Sequence, residues 1–223
     1  MKHARLLVST AALVVLSLGS GVHAANLVVN GGFEADSFNT GFGYRLGLIN
    51  NDVTGWYIPA GNGTYPWGLQ NGNTYNAGPA AEGRQWLVLG EWDTQAQYTI
   101  QQTLSGLTPG GAYKLSFAIA SELGCCSMAE VSFLSGSATA AQSFTAPSSG
   151  LYWTQWSYNS MTFVANAASV TIQFKNQLPT NNGYDVGLDD VSVTAVPETS
   201  TVAMMGLGLA VLGLLRRRRP VQA

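Results

Sequence analysis

The chain has 223 residues, of which 46% are hydrophobic and 10% charged, and its formal net charge is -2. Its two histidines, His3 and His23, both lie near the N-terminus. The rest of the chain contains no histidine. This excludes from it Ser-His-Asp and Cys-His nucleophile activation, together with zinc sites that depend on imidazole.

Charge is distributed unevenly along the sequence. Residues 25–195 contain four basic and eleven acidic side chains, which gives this region a formal charge of -7. A negative body repels phosphate backbones, so we do not expect nucleic acid binding. Carboxylates clustered in loops instead favour calcium.

Residues 1–24 have the pattern of a secretory signal peptide. Lys2 and Arg5 precede an apolar run over Leu6–Leu18, and Val22-His23-Ala24 forms a small-x-small cleavage site. We therefore expect export and a mature protein that starts at Ala25. Residues 25–195 are long enough for one domain with a substantial core.

The body of the chain shows the two-residue hydrophobic period of β-strands and essentially no helical period. Clusters of Gly, Pro, Asn and Ser separate the runs and predict turns. Eight short strands of this kind predict an all-β, antiparallel β-sandwich. Residues 39–78, rich in Gly, Asn and Tyr, are expected to form long surface loops. The predicted strands are Asn26–Asn30, Gln85–Leu89, Tyr98–Leu104, Tyr113–Ala120, Glu130–Leu134, Trp156–Val164, Ser169–Phe174 and Gly187–Val193.

The two cysteines, Cys125 and Cys126, are adjacent in sequence. Their Cα atoms are about 3.8 Å apart across a trans peptide, below the usual disulfide window of about 4.4–6.8 Å. The alternatives are a strained vicinal bond in a loop, bridges to another chain, or two free thiols. Export to an oxidising compartment favours some disulfide. We assign the pair no catalytic role.

Residues 196–223 combine a polar motif, a short apolar segment and a basic cluster. Val196-Pro197-Glu198-Thr199-Ser200 precedes Thr201–Leu215, which is followed by Arg216, Arg217, Arg218 and Arg219. As a helix, residues 201–215 span roughly 22 Å, against about 30 Å for a bilayer core. Arginines beside an apolar segment stay on the cytoplasmic side, so a transmembrane helix here places the body outside.

This order of features resembles the PEP-CTERM sorting signal. The motif is Val196, Pro197 and Glu198, with Thr199 in place of the second proline. The resemblance implies processing by exosortase, a membrane-embedded cysteine transpeptidase of Gram-negative bacteria. It also implies export through the inner membrane, a membrane helix before processing, and a final place at the cell surface or in the extracellular matrix. A plain C-terminal anchor is the alternative.

A second resemblance covers nearly the whole body. Its ordered elements resemble the galactose-binding-like jelly rolls among the carbohydrate-binding modules of glycoside hydrolases. They are Asn26–Glu34, Gly55-Trp56, Glu82-Gly83, Leu107-Thr108-Pro109-Gly110 and Leu188-Asp189-Asp190-Val191. The resemblance implies a jelly roll with a structural calcium ion held by Glu34, Glu82 and Asp189 and by carbonyls near Gly32 and Gln85. Hard oxygen donors suit calcium, and three solvated loop carboxylates are the alternative.

All six tryptophans and all nine tyrosines lie within residues 25–195. Aromatic faces can stack on sugar rings, although most aromatics of a sandwich belong to its core. We assign Trp56, Trp86 and Phe117 to the core. The binding modules place an element similar to Trp92-Asp93 at the ligand cleft, which makes Trp92 the expected sugar platform. Its expected partners are Tyr98 and Gln102, and further exposed candidates are Trp67 and Trp153.

Three functions are considered for this exported body. The first is a non-catalytic protein that binds exopolysaccharide through a calcium-stabilised jelly roll. The second is a structural envelope or biofilm-matrix protein without sugar binding. The third, a glycoside hydrolase or lyase, needs paired carboxylates. The available carboxylates carry no motif of their own, so we expect the first function and no enzyme; they are Glu82, Glu91, Asp93 and Glu122.

Overall fold

Two antiparallel sheets form the protein in a computed structural model. The structure describes residues 25–36, 38, 43–46, 48, 50–59, 68–72, 77–90, 98–122, 127–147, 155–177 and 185–197, together with 206, 208, 209 and 212. All strand pairings within these ranges are antiparallel. The prediction of an all-β antiparallel sandwich is confirmed.

The sheets differ in size. One has six strands in the order β1-β2-β3-β10-β5-β8, and the other has four in the order β4-β9-β6-β7. Because β10 lies between β3 and β5, the last strand of the domain is an interior one. The strands are β1 (Tyr44–Leu46), β2 (Gly68–Asn71), β3 (Gln85–Leu89), β4 (Thr99–Ser105), β5 (Ala112–Ser121), β6 (Met128–Ser135), β7 (Gln142–Thr145), β8 (Ser157–Val164), β9 (Ser169–Asn176) and β10 (Val186–Ala195).

Aromatic rings join the two sheets across the core. Phe117 of β5 lies 5.2 Å from Phe174 of β9 and 5.0 Å from Phe144 of β7, measured between ring centroids. Phe163 of β8 lies 4.7 Å from Phe133 of β6. Burying one such side chain stabilises the fold by about 1.5–3 kcal/mol, so these contacts hold the layers together.

The predicted core residues are confirmed, but they belong to two clusters. Trp56 (1% exposed) and Phe117 (1%) are in the main core. Trp86 (0%) instead lies with Val88 and Ala120 in a separate cluster of the six-stranded sheet. Trp156 packs against it at 5.9 Å between ring centroids.

The prediction of long surface loops over residues 39–78 is wrong for the part of this region that the structure describes. This region supplies β1 and β2, and its apolar side chains Leu48, Val53 and Leu69 are buried. Its strands have only three and four residues, too few for the two-residue period to emerge. The expected strand at Asn26–Asn30 is instead an extended segment beside β10, where the Leu27 N–H donates to the Val193 carbonyl at 2.9 Å.

Several predictions lie outside the described residues. They include the signal peptide over residues 1–24, the Cys125-Cys126 pair, Glu198, and Arg216, Arg217, Arg218 and Arg219. Of the predicted membrane segment 201–215, Gly206, Gly208, Leu209 and Leu212 are described, and their backbone is helical. Among described residues, none belongs to a helix long and apolar enough to span a bilayer.

Candidate functional site

The first candidate site is the acidic corner, defined by Glu34, Glu82, Asp189 and Asp190. One wall is the loop 30–36, which curls because Asn30 (φ 54°) and Phe33 (φ 59°) adopt left-handed backbone. Asn tolerates this conformation better than most residues, and the Asn30 Oδ1 accepts the Ala35 N–H at 3.0 Å.

Gly31 lets this loop touch β10. A Cβ atom at this position would lie 1.9 Å from the Val191 carbonyl oxygen, closer than any side chain can approach. The Gly31 carbonyl meanwhile accepts the Val191 N–H at 3.0 Å. A close backbone contact therefore requires Gly31, whereas a Cβ atom at Gly32 would meet the Glu82 carboxylate.

Glu34 anchors the start of β3 to this loop. Its Oε1 accepts the N–H groups of Arg84 at 2.6 Å and Gln85 at 2.8 Å. The Gln85 side-chain amide donates in return to the carbonyls of Phe33 and Asp36. The Arg84 guanidinium lies 4.0 Å from Glu34, but it is largely exposed and contributes little.

Asp189 lies beneath the corner with no exposed surface. Its Oδ2 accepts the Glu82 N–H at 2.9 Å and its Oδ1 accepts the Asp190 N–H at 2.8 Å. Burial raises the pKa of this carboxyl to about 7, and the nearby Glu82 charge adds to the rise, while backbone hydrogen bonds from Glu82, Asp190 and Ala81 oppose it. A cation beside the carboxylate would favour its ionised form.

The structure thus brings Glu34, Glu82 and Asp189 together, although they are far apart in sequence. A polar hollow of about 360 Å³ lies among them, and Asp190, rather than Asp189, lines it beside Glu34 and Glu82. Asp190 reaches the hollow because β10 has a bulge between Asp189 and Ser192 and left-handed backbone at Asp190 (φ 49°). The donors are carboxylates and carbonyls, which fit calcium chemically. As arranged, the described residues contain no group of three or more Asp, Glu, His or Cys side chains that could hold a metal ion.

Two of the three expected sugar-binding residues, Tyr98 and Gln102, are buried. Tyr98 is 0% exposed, so its ring has no face to offer a sugar. Gln102 is buried, and its side-chain amide donates to the Val29 carbonyl at 2.9 Å and accepts the Val29 N–H at 2.8 Å. Trp92, with its neighbours Glu91 and Asp93, lies outside the described residues, as do Trp67 and Trp153.

An exposed aromatic ring, that of Tyr57, lies instead beside Gln101, the residue that precedes the predicted Gln102 in β4. Tyr57 is 41% exposed, whereas its neighbours Trp56 and Ile58 are buried. Its N–H donates to the Gln101 carbonyl at 2.9 Å, and the Gln101 N–H donates to the Tyr57 carbonyl at 3.0 Å. The alternation Trp-Tyr-Ile was the available signal for this outward tyrosine.

Tyr57 borders a groove of about 480 Å³, the tyrosine groove. It presents hydroxyl and amide groups next to one exposed aromatic ring, that of Tyr57, since Trp56 is buried. Each lining side chain is uncharged. The lining residues are Asn51, Gly55, Trp56, Tyr57, Gln101, Gln102 and Thr103.

Glu122, one of the carboxylates available to an enzyme, lies at the far end of β5. Its N–H donates to the Asp185 carbonyl at 3.0 Å, and its Oε2 accepts the Asp185 N–H at 3.3 Å. Burial raises the pKa of Glu122, against the hydrogen bond from Asp185. Its contacts to Asp185 therefore fasten the end of β5 to the start of β10.

Comparison with solved structures places this sandwich among known folds. The chain is similar to the enzymatically active domain of tailspike protein 4 of bacteriophage CBA120, with 13% identity and a TM-score of 0.51 over 77% of this chain and 21% of that one. It thus spans about a fifth of the tailspike chain, and at this identity the likeness shows the fold alone.

Two smaller proteins are also similar. TmCBM61 in complex with β-1,4-galactotriose gives 16% identity and a TM-score of 0.46 over 78% of this chain and 100% of that one. The CBM22-1 xylan-binding domain of Xyn10C from Paenibacillus barcinonensis gives 11% identity and a TM-score of 0.41 over 68% and 91%.

No curated protein matches the sequence. A family model, described as a protein of unknown function (DUF642), matches residues 26–194. This match begins at the extended N-terminal segment and ends in β10, so it covers the whole sandwich and most of the sequence. The chain therefore belongs to the DUF642 family.

Proposed function

We propose that this protein is an exported, non-catalytic module that binds polysaccharide outside the cell. The observation that carries the proposal is the tyrosine groove, where the exposed ring of Tyr57 stands beside amide and hydroxyl groups. The apolar face of an aromatic ring suits the C–H face of a sugar ring, and amides can both donate to and accept from its hydroxyls. A two-hydrogen-bond bridge holds Tyr57 beside Gln101 of β4, which preorganises the ring and this amide for binding.

Calcium at the acidic corner is part of this proposal. Glu34, Glu82 and Asp189 would supply carboxylates to the ion, with Asp190 as a further donor at the hollow. In support, a divalent cation would compensate the buried charge of Asp189. The ion would then stabilise the module and take no part in a reaction.

The proposed location rests on the two ends of the sequence. The N-terminal pattern over residues 1–24 supports export, and the C-terminal motif with its basic cluster supports sorting by exosortase in a Gram-negative envelope. Mass spectrometry of the protein recovered from its host tests both steps. An intact peptide that spans Glu198 and Arg216 in the mature protein would show that the tail is retained as an anchor.

Substitution of Tyr57 tests the binding function. We expect full-length protein in detergent to be retained on one or more immobilised polysaccharides, and Tyr57→Ala to weaken this retention about tenfold because the stacking face is lost. The matched control is Tyr158→Ala, because Tyr158 is 68% exposed on β8 of the other sheet. Free saccharide should compete with retention.

Two results would contradict the proposal. Folded wild-type protein that no polysaccharide retains would favour the structural matrix protein instead. Release of new reducing ends from a retained polysaccharide, abolished by Glu82→Gln or Glu122→Gln in a folded protein, would show an enzyme.

A further inference from the structure

The outer face of the four-stranded sheet extends the tyrosine groove. Along β4 and β9 alternate side chains are buried in the core, so the intervening ones point outward. The outward residues carry hydroxyls and amides, such as those of Gln101 and Gln173, with Lys175 near one end of β9. Gln101 and Gln173 are half-buried and Thr103 is exposed, so polar atoms of this face can reach a ligand.

Strand register aligns four of these side chains in one row. Tyr57 is opposite Gln101, Gln101 is opposite Gln173, and Gln173 is opposite Ser132. Directly opposed residues of antiparallel strands place their side chains on the same face. The row therefore crosses three strand spacings, about 14 Å, from an aromatic ring to a hydroxyl.

A second row of hydroxyls runs beside the first. Thr103 and Thr171 lie 2.9 Å apart between their Oγ1 atoms, and the Ser135 hydroxyl donates to Thr171 at 3.1 Å. Hydroxyls linked in this way keep acceptor capacity and can still bond to a ligand. The two rows together form a strip that is wider than one sugar ring and longer than a disaccharide.

The charge on and around this strip indicates the charge class of its ligand. Lys175 and Glu130 lie two residues from Gln173 and Ser132 on the same strands. The Lys175 Nζ is 3.2 Å from the Glu130 Oε1, so the two charges neutralise each other. The domain as a whole has a formal charge of -7, which repels acidic polymers. A neutral polysaccharide avoids this repulsion and offers hydroxyls to the amides.

We propose that the two rows bind one extended, neutral polysaccharide chain that runs across the strands. Tyr57 stacks on one sugar ring, while Gln101 and Gln173 hydrogen-bond to hydroxyls of the rings that follow. This inference rests on the proposed function and adds to it the path, the length and the charge class of the ligand. A single sugar at Tyr57, or a second copy of this chain on the face, are the competing occupants.

Calorimetric titration of full-length protein with neutral β-linked oligosaccharides, from disaccharide to hexasaccharide, tests the proposal. We expect affinity to rise about tenfold or more with length until the row is filled. Gln173→Ala should weaken hexasaccharide binding about five- to tenfold, because it removes an amide that bonds only to distal rings, and should leave disaccharide binding unchanged. The control is Gln142→Ala, since Gln142 is opposite the buried Val131 and so is off this face.

The outcomes separate the inference from the function on which it rests. Binding that depends on Tyr57, but neither increases beyond the disaccharide nor responds to Gln173→Ala, overturns the inference and keeps the function. Preference for an acidic polymer over a neutral one at physiological salt overturns the charge class. A dimer that Gln173→Ala dissociates assigns the face to a second copy, and folded protein that binds no glycan overturns both proposals.

Discussion

Gln101 and Gln102 show how one position along a strand changes the role of the same side chain. Gln101 points outward into the tyrosine groove, opposite Tyr57. Gln102 points inward, where its amide accepts the Val29 N–H and donates to the Val29 carbonyl, as the backbone of a neighbouring strand would. Side chains that look equivalent in the sequence therefore serve ligand binding in one case and folding in the other.

Alanine at each position separates the two roles. Gln102→Ala should lower the free energy of unfolding by about 1–3 kcal/mol, because the Val29 N–H and carbonyl lose their partners. Gln101→Ala should leave this free energy nearly unchanged and weaken oligosaccharide binding instead. Urea unfolding and calorimetry on both variants measure the two effects. Equal loss of binding in a fully stable Gln102→Ala protein would return Gln102 to the sugar site.

Glu122 gives the stability of the protein a predictable dependence on pH. Burial raises its pKa above the ordinary 4.5, so the folded state binds the proton more tightly than the unfolded state. Ionisation of Glu122 therefore lowers the free energy of unfolding as pH rises from about 4.5 through the raised pKa of the folded state. Above that pKa the destabilisation is complete. Glu122→Gln keeps an acceptor for the Asp185 N–H and has no charge to bury.

We expect Glu122→Gln to be more stable than wild type at pH 8, with the difference shrinking toward acidic pH. The measurement is urea unfolding of both proteins across this pH range. A variant less stable than wild type at pH 8 would show that the ionised carboxylate is favoured by contacts stronger than its desolvation.

At the scale of elements, predictability follows the length and the alternation of each strand. β5 and β9 have ten and eight residues, and their alternation predicted them correctly as the strands Tyr113–Ala120 and Ser169–Phe174. β7 has four residues with no apolar alternation and was missed. A two-residue period needs several repeats before it rises above chance.

The candidate sites also differ in how far the sequence could predict them. The acidic corner was predicted from a resemblance: Glu34 and Glu82 line its hollow beside Asp190, Asp189 is buried, and no group of three or more such side chains among the described residues is arranged to hold a metal ion. Tyr98 and Gln102 were chosen as partners of Trp92, although the period of β4 already places both on the buried face of Ile100 and Leu104. The row from Tyr57 to Ser132 depends on pairing between residues far apart in sequence, which no local pattern encodes.

At the scale of the whole molecule, the acidic corner connects parts of the chain that are distant in sequence. The loop after the N-terminal segment, the entry to β3 and the bulge of β10 meet there. An ion bound at this point would have to be released before any of the three separates. Its binding energy would therefore add to the stability of the entire sandwich.

Calcium should raise the melting temperature. At a calcium concentration about a hundredfold above Kd, ligand linkage adds about 2.7 kcal/mol, which corresponds to roughly 5–10 °C for a domain of this size. Scanning calorimetry in calcium and then in EDTA measures the shift. Glu82→Gln should remove it, whereas Glu130→Gln, which changes a carboxylate of the four-stranded sheet, should retain it. An unchanged wild-type melting temperature in saturating calcium would exclude a structural ion.

The interior position of β10 has a mechanical consequence. The chain leaves the domain from this strand, which β5 grips over eight paired positions on one side while β3 holds it on the other. If the C-terminal tail proposed above anchors the protein, a pull on it loads hydrogen bonds on both sides of β10 at once, whereas an edge strand is held on one side only. A protein anchored in this way should resist unfolding by force at its C-terminus better than one whose chain leaves from an edge strand.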